Sequence, residues 1–94
     1  MNYHELETIW KDTIKINGNT VESIVCMEEC AELQKEISKF LRNKGNKDNL
    51  IEEIADVKIC IELLKEMYDI SSCDIDKIII EKTKRQAKRN AEVS

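Results

Sequence analysis

Apolar residues recur at intervals of three and four along most of the chain, the spacing that places them on one face of an α-helix. Near the N-terminus the pattern joins Leu6, Ile9 and Ile14, and three later segments repeat it. Polar stretches separate the four segments, and they read NGN, NKGNKDN and SSCD. The pattern therefore predicts four helices, with approximate bounds Tyr3–Ile16, Thr20–Arg42, Asn49–Asp69 and Asp74–Ala91.

The connections contain residues that begin and end helices. We expect the NGN turn to close the first helix and Gly45 to end the second, because glycine tolerates the backbone conformation found there. Asparagine, aspartate and serine accept hydrogen bonds from the free amides at helix starts. The caps predicted on this basis are Asn19 for the second helix, Asp48 or Asn49 for the third and Ser72 for the fourth.

The composition agrees with an all-α protein. The 94 residues include no proline, two glycines and 4% aromatic residues, whereas a sheet protein would contain more turn-forming and aromatic side chains. We expect one domain, residues 1–94, folded as a four-helix bundle with short connections. So small a chain, with 36% charged residues, could gain much of its core by self-association.

Charge and cysteine content argue against several classes of protein. A formal net charge of -4 gives no support to a nucleic-acid partner, and no run of about 18 apolar residues predicts a membrane span. The first residues, MNYHELETIW, lack the apolar segment of a signal peptide. The four cysteines form no CxxC pair. We expect them to be buried and to act as small hydrophobic side chains, in a protein of the reducing cytoplasm.

Two carboxylates lie on the apolar face of the predicted third helix. At 100° per residue, Glu53 and Asp56 project from the stripe that also contains Cys60. An unpaired carboxylate removed from water costs several kcal/mol. Such a residue is therefore protonated, paired with a base or bound to a metal ion.

The second helix carries a matching set of acids. Glu29, Glu32 and Glu36 fall within an arc of about 60°, and Glu28 leans about 100° away from Glu29. If the short connection makes the second and third helices antiparallel, these carboxylates face those of the third helix. Oxygen ligands of this kind favour Mg²⁺ or Mn²⁺ over zinc. Glu36 shares the arc and is either a spare carboxylate that orients or deprotonates a water bound to the cation, or a surface residue.

Basic residues extend the apolar stripe of the predicted fourth helix. Lys82, Arg85 and Arg89 continue its face, and the segment KTKRQAKRN holds five basic residues and no acid. Inward basic groups near a carboxylate-bound cation suit a polyphosphate. The alternative is a solvated helix terminus whose positive charge complements the helix dipole.

The two acidic segments together resemble a known signature. EECAE contains Glu28, Glu29 and Glu32, and after twenty residues EIAD supplies Glu53 and Asp56. Their order and spacing resemble the EExxE…ExxD signature of MazG-like nucleotide pyrophosphohydrolases, over roughly residues 20 to 90, and KTKRQAKR is also similar to that family. The resemblance implies an all-α, Mg²⁺-dependent enzyme that hydrolyses a nucleoside triphosphate to the monophosphate and pyrophosphate. It also implies a homodimer or homotetramer, often with sites built across subunits.

The resemblance further implies roles for individual residues. The implied metal ligands are Glu29, Glu32, Glu53 and Asp56, the implied phosphate-binding residues are Lys82, Arg85 and Arg89, and Glu28 completes the catalytic set. Two other interpretations stay open: a non-catalytic helical self-association or regulatory module with a structural cation site, and a pyrophosphohydrolase acting on phosphoribosyl-ATP. Trp10 is either a core or interface anchor or a platform on which a base stacks.

Overall fold

A computed structural model describes residues 1–93, which form four α-helices and contain no strand. The helices are α1, Tyr3–Asn17; α2, Asn19–Leu41; α3, Lys47–Met67; and α4, Ser72–Val93. The prediction of an all-α chain with four helices is confirmed, and the predicted ends lie within two residues of the observed ones. Ser94, the last residue of the predicted 1–94 domain, lies outside the described residues.

Gly18 serves both helices that it separates. Its φ of 88° is in the region that favours glycine, and its amide donates to the Ile14 carbonyl oxygen at 2.7 Å, which ends α1. Gly18 is also the N-cap of α2, so the prediction that Asn19 caps this helix is wrong. Asn19 is instead the first helical residue, and its side-chain amide donates to the Met67 carbonyl oxygen at 3.5 Å. This bond joins the start of α2 to the end of α3.

The predicted caps of α3 and α4 are also displaced. Asn46 caps α3, because its Oδ1 accepts hydrogen bonds from the amides of Asp48 at 2.8 Å and Asn49 at 3.2 Å. Asp48 and Asn49 are therefore donors within the first turn. Ser71 Oγ accepts from the amide three residues on at 3.1 Å, so Ser71 performs the capping predicted for Ser72.

Two residues with a left-handed backbone conformation follow the ends of α2 and α3, and neither of them is glycine. Asn43 has a φ of 57° and Asp69 a φ of 53°, and the residue after each donates its amide back to a carbonyl of the last helical turn, at 2.8 and 2.9 Å. This arrangement satisfies carbonyls that the helix leaves free. Gly45 therefore does not end α2 itself. It is required for packing, because a Cβ at this position would overlap the Phe40 ring.

The core lies along the contact between α2 and α3. Cys26, Cys60 and Leu63 are its buried members, with half-buried residues of α1 and α3 around them: Trp10, Ile14, Leu64 and Met67. The Cys26 thiol donates to the Cys60 carbonyl oxygen at 3.7 Å. Burial raises the pKa of the Cys60 thiol to about 12. Both buried cysteines are free, and they act as small apolar side chains.

The fourth helix extends from the other three with little contact. In the described part of the chain, no close packing joins α4 to α1, α2 or α3. Ile78, Ile79 and Ile80 are consequently 47–55% exposed. The radius of gyration is 16.5 Å, whereas a compact chain of this length would have about 12 Å. In the single chain, three helices form the packed unit and α4 presents uncovered apolar side chains.

Among residues 1–93, none of the four helices combines the length and the apolar character needed to span a lipid bilayer.

Leu63 provides a test of how much of the stability this small core supplies. Leu63 is 5% exposed, and Leu41, at the end of α2, is 82% exposed. We expect Leu63→Ala to lower the free energy of unfolding by about 2–5 kcal/mol, because it leaves a cavity in the core. The same change at Leu41 should alter it by less than about 0.5 kcal/mol. Urea denaturation at one fixed protein concentration measures both, and equal losses would contradict the assignment of the core.

Candidate metal centre

The antiparallel contact of α2 and α3 brings three carboxylates together. Glu29 of α2 faces Glu53 and Asp56 of α3, and one carboxylate oxygen from each lies within 4.8 Å of the others. All three side chains are half-buried. We refer to these three residues as the carboxylate cluster. It combines one of the three acids of the EECAE segment with both acids of the EIAD segment, and the sequence predicted that these three face one another.

The helical repeat explains why acids lie beside the core. Residues seven apart share one face of a helix. Glu53 precedes the buried Cys60 by seven residues, and Asp56 precedes the buried Leu63 by seven. The stripe that forms the core at the C-terminal half of α3 therefore continues into the carboxylates at its N-terminal half.

The electrostatics of the cluster favour the uptake of positive charge. Removal from water and the nearby charge of Asp56 raise the pKa of Glu29 above its ordinary value, with further contributions from Glu53 and Glu32. Removal from water and the charge of Asp56 also raise the pKa of Glu53, with smaller contributions from Glu32, Glu36 and Glu52. A carboxylate in this condition accepts a proton or a cation more readily than one in water.

Two buried carboxylate oxygens have no partner. Within residues 1–93, neither Glu53 Oε2 nor Glu36 Oε1 makes a hydrogen bond, and both atoms are shielded from solvent. Buried polar atoms in folded proteins are almost always bonded, so each such atom requires an explanation. Hard divalent cations bind carboxylate oxygens. The donor set of the cluster therefore fits Mg²⁺ or Mn²⁺.

The other two acids of EECAE lie at the margin of the cluster. Glu32 is exposed, although its charge acts on both Glu29 and Glu53. Glu28 is exposed and points to a different side of α2. The structure thus brings Glu29, Glu53 and Asp56 together and leaves Glu32 beside them at the edge.

The basic residues of α4 are not part of this site in the single chain. Lys82, Arg85 and Arg89 are exposed, and none of them forms an ion pair with a described residue. The expectation that they project inward is wrong for one chain. Helical periodicity identified the apolar stripe of α4 correctly, but no other helix in residues 1–93 packs closely against it.

Two acids of α2 are buried. The sequence prediction did not include the burial of Glu22, and it left open whether Glu36 is buried or exposed. Glu22 is buried, and its Oε2 accepts from the Asn17 side-chain amide at 3.5 Å. Glu36 is also buried, so it is not a surface residue. The available signal was their spacing, since both stand seven residues from Glu29 and therefore share its face.

The aromatic residues of α1 lie elsewhere. Tyr3 and Trp10 meet edge to face with ring centroids 5.7 Å apart, and they line a cleft of about 290 Å³ with Glu62 and Glu66 of α3. Glu62 is nine residues from Glu53, which places it on the opposite side of α3. Trp10 also packs against the core. Within one chain it is therefore a core anchor remote from the cluster.

Comparison of the chain with protein-family models, with curated proteins and with solved structures finds no match. The class defined by the fold and the site is an all-α protein with a carboxylate-lined candidate metal centre between two antiparallel helices. Chemically, such a centre can hold a hard cation and present it to anionic oxygens.

Glu53→Gln tests the charge repulsion in the cluster. The pKa of Glu53 is raised in the folded chain, so between its ordinary and raised pKa the folded state binds more protons than the unfolded state. Stability is therefore highest below that window and falls as pH rises through it. We expect Glu53→Gln to flatten this fall in metal-free buffer and to be more stable than the parent above the window. Melting temperatures in EDTA across a pH series measure the effect.

The matched control is Glu52→Gln, which alters the exposed neighbour of Glu53. It should retain most of the fall in stability with rising pH. A parent whose stability rises through the window, or a Glu53→Gln variant with an unchanged slope, would show that the cluster is not strained by its charges.

Proposed function

We propose that this chain is a Mg²⁺-dependent, MazG-like nucleoside triphosphate pyrophosphohydrolase, which converts an NTP or dNTP to the monophosphate and pyrophosphate. The observation that carries the proposal is the meeting of Glu29, Glu53 and Asp56, with carboxylate oxygens within 4.8 Å. These residues come from both halves of the acidic signature. An arrangement that merely solubilised the surface would have no need to bring them together at a buried seam.

The carboxylates of the cluster have defined roles in this proposal. Glu29, Glu53 and Asp56 hold Mg²⁺, and Glu32 joins them from the edge. Bound there, Mg²⁺ supplies Lewis-acid polarisation of phosphoryl oxygens and lowers the pKa of a coordinated water. Glu28, exposed on a neighbouring side of α2, would complete the set by orienting the attacking water or supporting a ligand.

A homodimer or homotetramer is part of the proposal. The exposed isoleucines of α4 form an uncovered apolar surface. An apolar groove of about 480 Å³ lies on α2 and α3, lined by residues that include Cys26, Met27 and Leu64. Burial of both surfaces by a second copy would supply the apolar contact that the small core of one chain lacks.

Charge complementarity suggests how the copies meet. The C-terminal half of α4 is basic, and the face of α2 that carries the cluster is acidic. When α4 of one copy approaches the cluster of another, Lys82, Arg85 and Arg89 can neutralise the phosphates of a bound nucleotide. The same contact would place the apolar stripe of α4 against a partner.

The proposed setting is a reducing cytoplasm, where the enzyme would remove unwanted nucleotides from the pool. The four cysteines are free. Free thiols, two of them exposed, are usual in a compartment that keeps cysteines reduced.

Product analysis with a panel of NTPs and dNTPs tests the activity. With Mg²⁺ we expect monophosphate and pyrophosphate from at least one substrate, and no turnover in EDTA. Glu53→Gln should reduce turnover by at least about 100-fold, because it replaces a charged carboxylate ligand with a neutral amide. Glu52→Gln should retain the activity, and circular dichroism should show the same helical content in all three proteins.

Two outcomes would contradict parts of this proposal. Orthophosphate with a diphosphate product would show cleavage at a different bond. No turnover across the whole panel would remove the enzyme hypothesis in favour of a self-association or regulatory module.

Ile78→Asp tests the assembly through α4. Ile78 lies on the apolar stripe of that helix and is 47% exposed in the single chain. We expect the parent to elute as a dimer or tetramer of the 10.9 kDa chain, and Ile78→Asp to weaken the assembly at least tenfold by burying a charge. Light scattering across a concentration series measures this. Thr83→Asp, on another side of α4, is the control, and a monomeric parent would contradict the assembly.

A further inference from the structure

We propose that the cleft between α1 and the C-terminal end of α3 binds an aliphatic polyamine, a chain of methylene groups that carries separated ammonium groups. This aromatic cleft is lined by two aromatic rings, Tyr3 and Trp10, and by four carboxylates: Glu7, Glu62, Glu66 and Asp69. It lies on the side of α3 opposite the carboxylate cluster. The ligand is therefore distinct from the substrate and the cation of the proposed function.

The aromatic cleft is small, and its walls are joined to each other. Its volume of about 290 Å³ is near the lower end for small-molecule sites. The Tyr3 hydroxyl donates a hydrogen bond to Glu62 Oε1, and the Tyr3 ring meets the Trp10 ring edge to face at 5.7 Å. Lys11 of α1 and Glu66 of α3 form a second link. The two helices are thus connected before any ligand binds.

Two lysines line the aromatic cleft, and they are engaged mainly by two of its four carboxylates. Lys65 Nζ lies 3.2 and 3.0 Å from the two oxygens of Glu62. Lys11 Nζ lies 3.1 Å from Glu7 Oε1, its nearer partner. Four negative charges against two positive ones leave the cleft with an excess of negative charge.

This excess is concentrated on Glu66 and Asp69. Glu66 Oε1 is 3.9 Å from Lys11 Nζ, which is longer than a hydrogen bond. Asp69 forms no ion pair within residues 1–93. Glu66 lies in the last turn of α3, and Asp69 follows the end of the helix. A positively charged ligand can therefore bind at this end of the cleft without displacing a closely bound lysine.

The arrangement of the acids favours an extended cation over a metal ion. Among the described residues, only the acids of the carboxylate cluster form a group of three whose ligand atoms lie within 4.8 Å of one another, so no three acids of the aromatic cleft can share one ion. Glu66 and Asp69 are separated by about one turn of helix, or roughly 5 Å. Two amines joined by three or four methylene groups have a comparable separation.

The rest of the lining suits the methylene chain of such a ligand. Tyr3, Trp10 and Ile70 contribute apolar surface to the cleft. Aromatic rings also attract ammonium groups through their π-systems. A hydrated metal ion would leave this surface uncovered, whereas a polyamine covers it with methylene groups while its ammonium groups reach the carboxylates.

Trp10 provides the readout, because it is the single tryptophan of the chain and lines the aromatic cleft. The full chain is titrated with spermidine in excess Mg²⁺, which competes wherever charge alone is required. We expect a saturable change in Trp10 fluorescence, and calorimetry should give one spermidine per chain. Absence of a saturable change in the parent would overturn the proposal.

Two variants remove the carboxylates that the proposal uses. Glu66→Gln and Asp69→Asn should each weaken spermidine binding about fivefold, the scale of one partly exposed charge pair. Asparagine at position 69 also tolerates the left-handed backbone. The matched controls are Glu52→Gln and Asp48→Asn, which change exposed acids in the N-terminal half of α3 and should bind as the parent does. Equal affinities in all four variants, with helical content unchanged, would overturn the site.

A comparison of ligands on the parent protein identifies the chemistry without any variant. Butylamine has one ammonium group, and dilysine carries its ammonium groups on a peptide; both should bind at least about tenfold more weakly than spermidine. Butylamine binding as tightly as spermidine would overturn the requirement for two charges. Dilysine binding as tightly would assign the cleft to a basic peptide segment instead of a free polyamine. No measurement involves nucleotide turnover, so loss of the hydrolase hypothesis would leave this inference standing.

Discussion

The antiparallel contact between α2 and α3 determines both where the core lies and where the carboxylates meet. Cys26, Cys60 and Leu63 exclude water along this seam, and Glu29 and Asp56 continue it about one turn further on. Because each helix is a rigid rod, the packing of the core fixes the register of the acids. Inserting or deleting one residue in either helix would rotate the side chains beyond that point by about 100° and separate the carboxylates. The candidate site therefore depends on the same few side chains that stabilise the helix pair.

This arrangement places a destabilising feature inside a small core. Carboxylates withdrawn from water and close to one another destabilise the fold, and the pKa values of Glu29 and Glu53 are raised first by their removal from water and then by the repulsion of neighbouring carboxylates. A cation bound to the folded state alone would stabilise it by mass action. Folding and pH are consequently linked through one seam, and a cation bound there would be linked to both. The extended α4 also limits the stability of a single chain, because its apolar surface is left outside a small core.

The sequence predicted what depends on local periodicity. Four helices and the inward faces of Glu53 and Asp56 follow from the spacing of apolar residues, which the backbone geometry fixes. The caps of α3 and α4 were displaced because several residues able to cap stand within three positions of one another, and only the folded backbone selects Asn46 and Ser71. The inward orientation of Lys82 was wrong for one chain for a different reason. Periodicity shows which side of a helix is apolar, but it does not show whether the same chain covers that side.

Three acids of α2 show how local partners decide what a buried charge can do. Glu22, Glu29 and Glu36 stand seven residues apart on one face, so periodicity treats them alike. Glu22 lies beside the C-terminal end of α1, and the side-chain amide of Asn17 donates a hydrogen bond to it at 3.5 Å. Glu29 and Glu36 instead face the acidic half of α3, where the neighbouring groups carry the same charge. Since no base of the described chain compensates that half adequately, positive charge must come from protons or from a bound cation. The face that is uniform in sequence is thus divided by its neighbours into an end where a partner bonds to the buried acid and an end where the buried charge is left uncompensated.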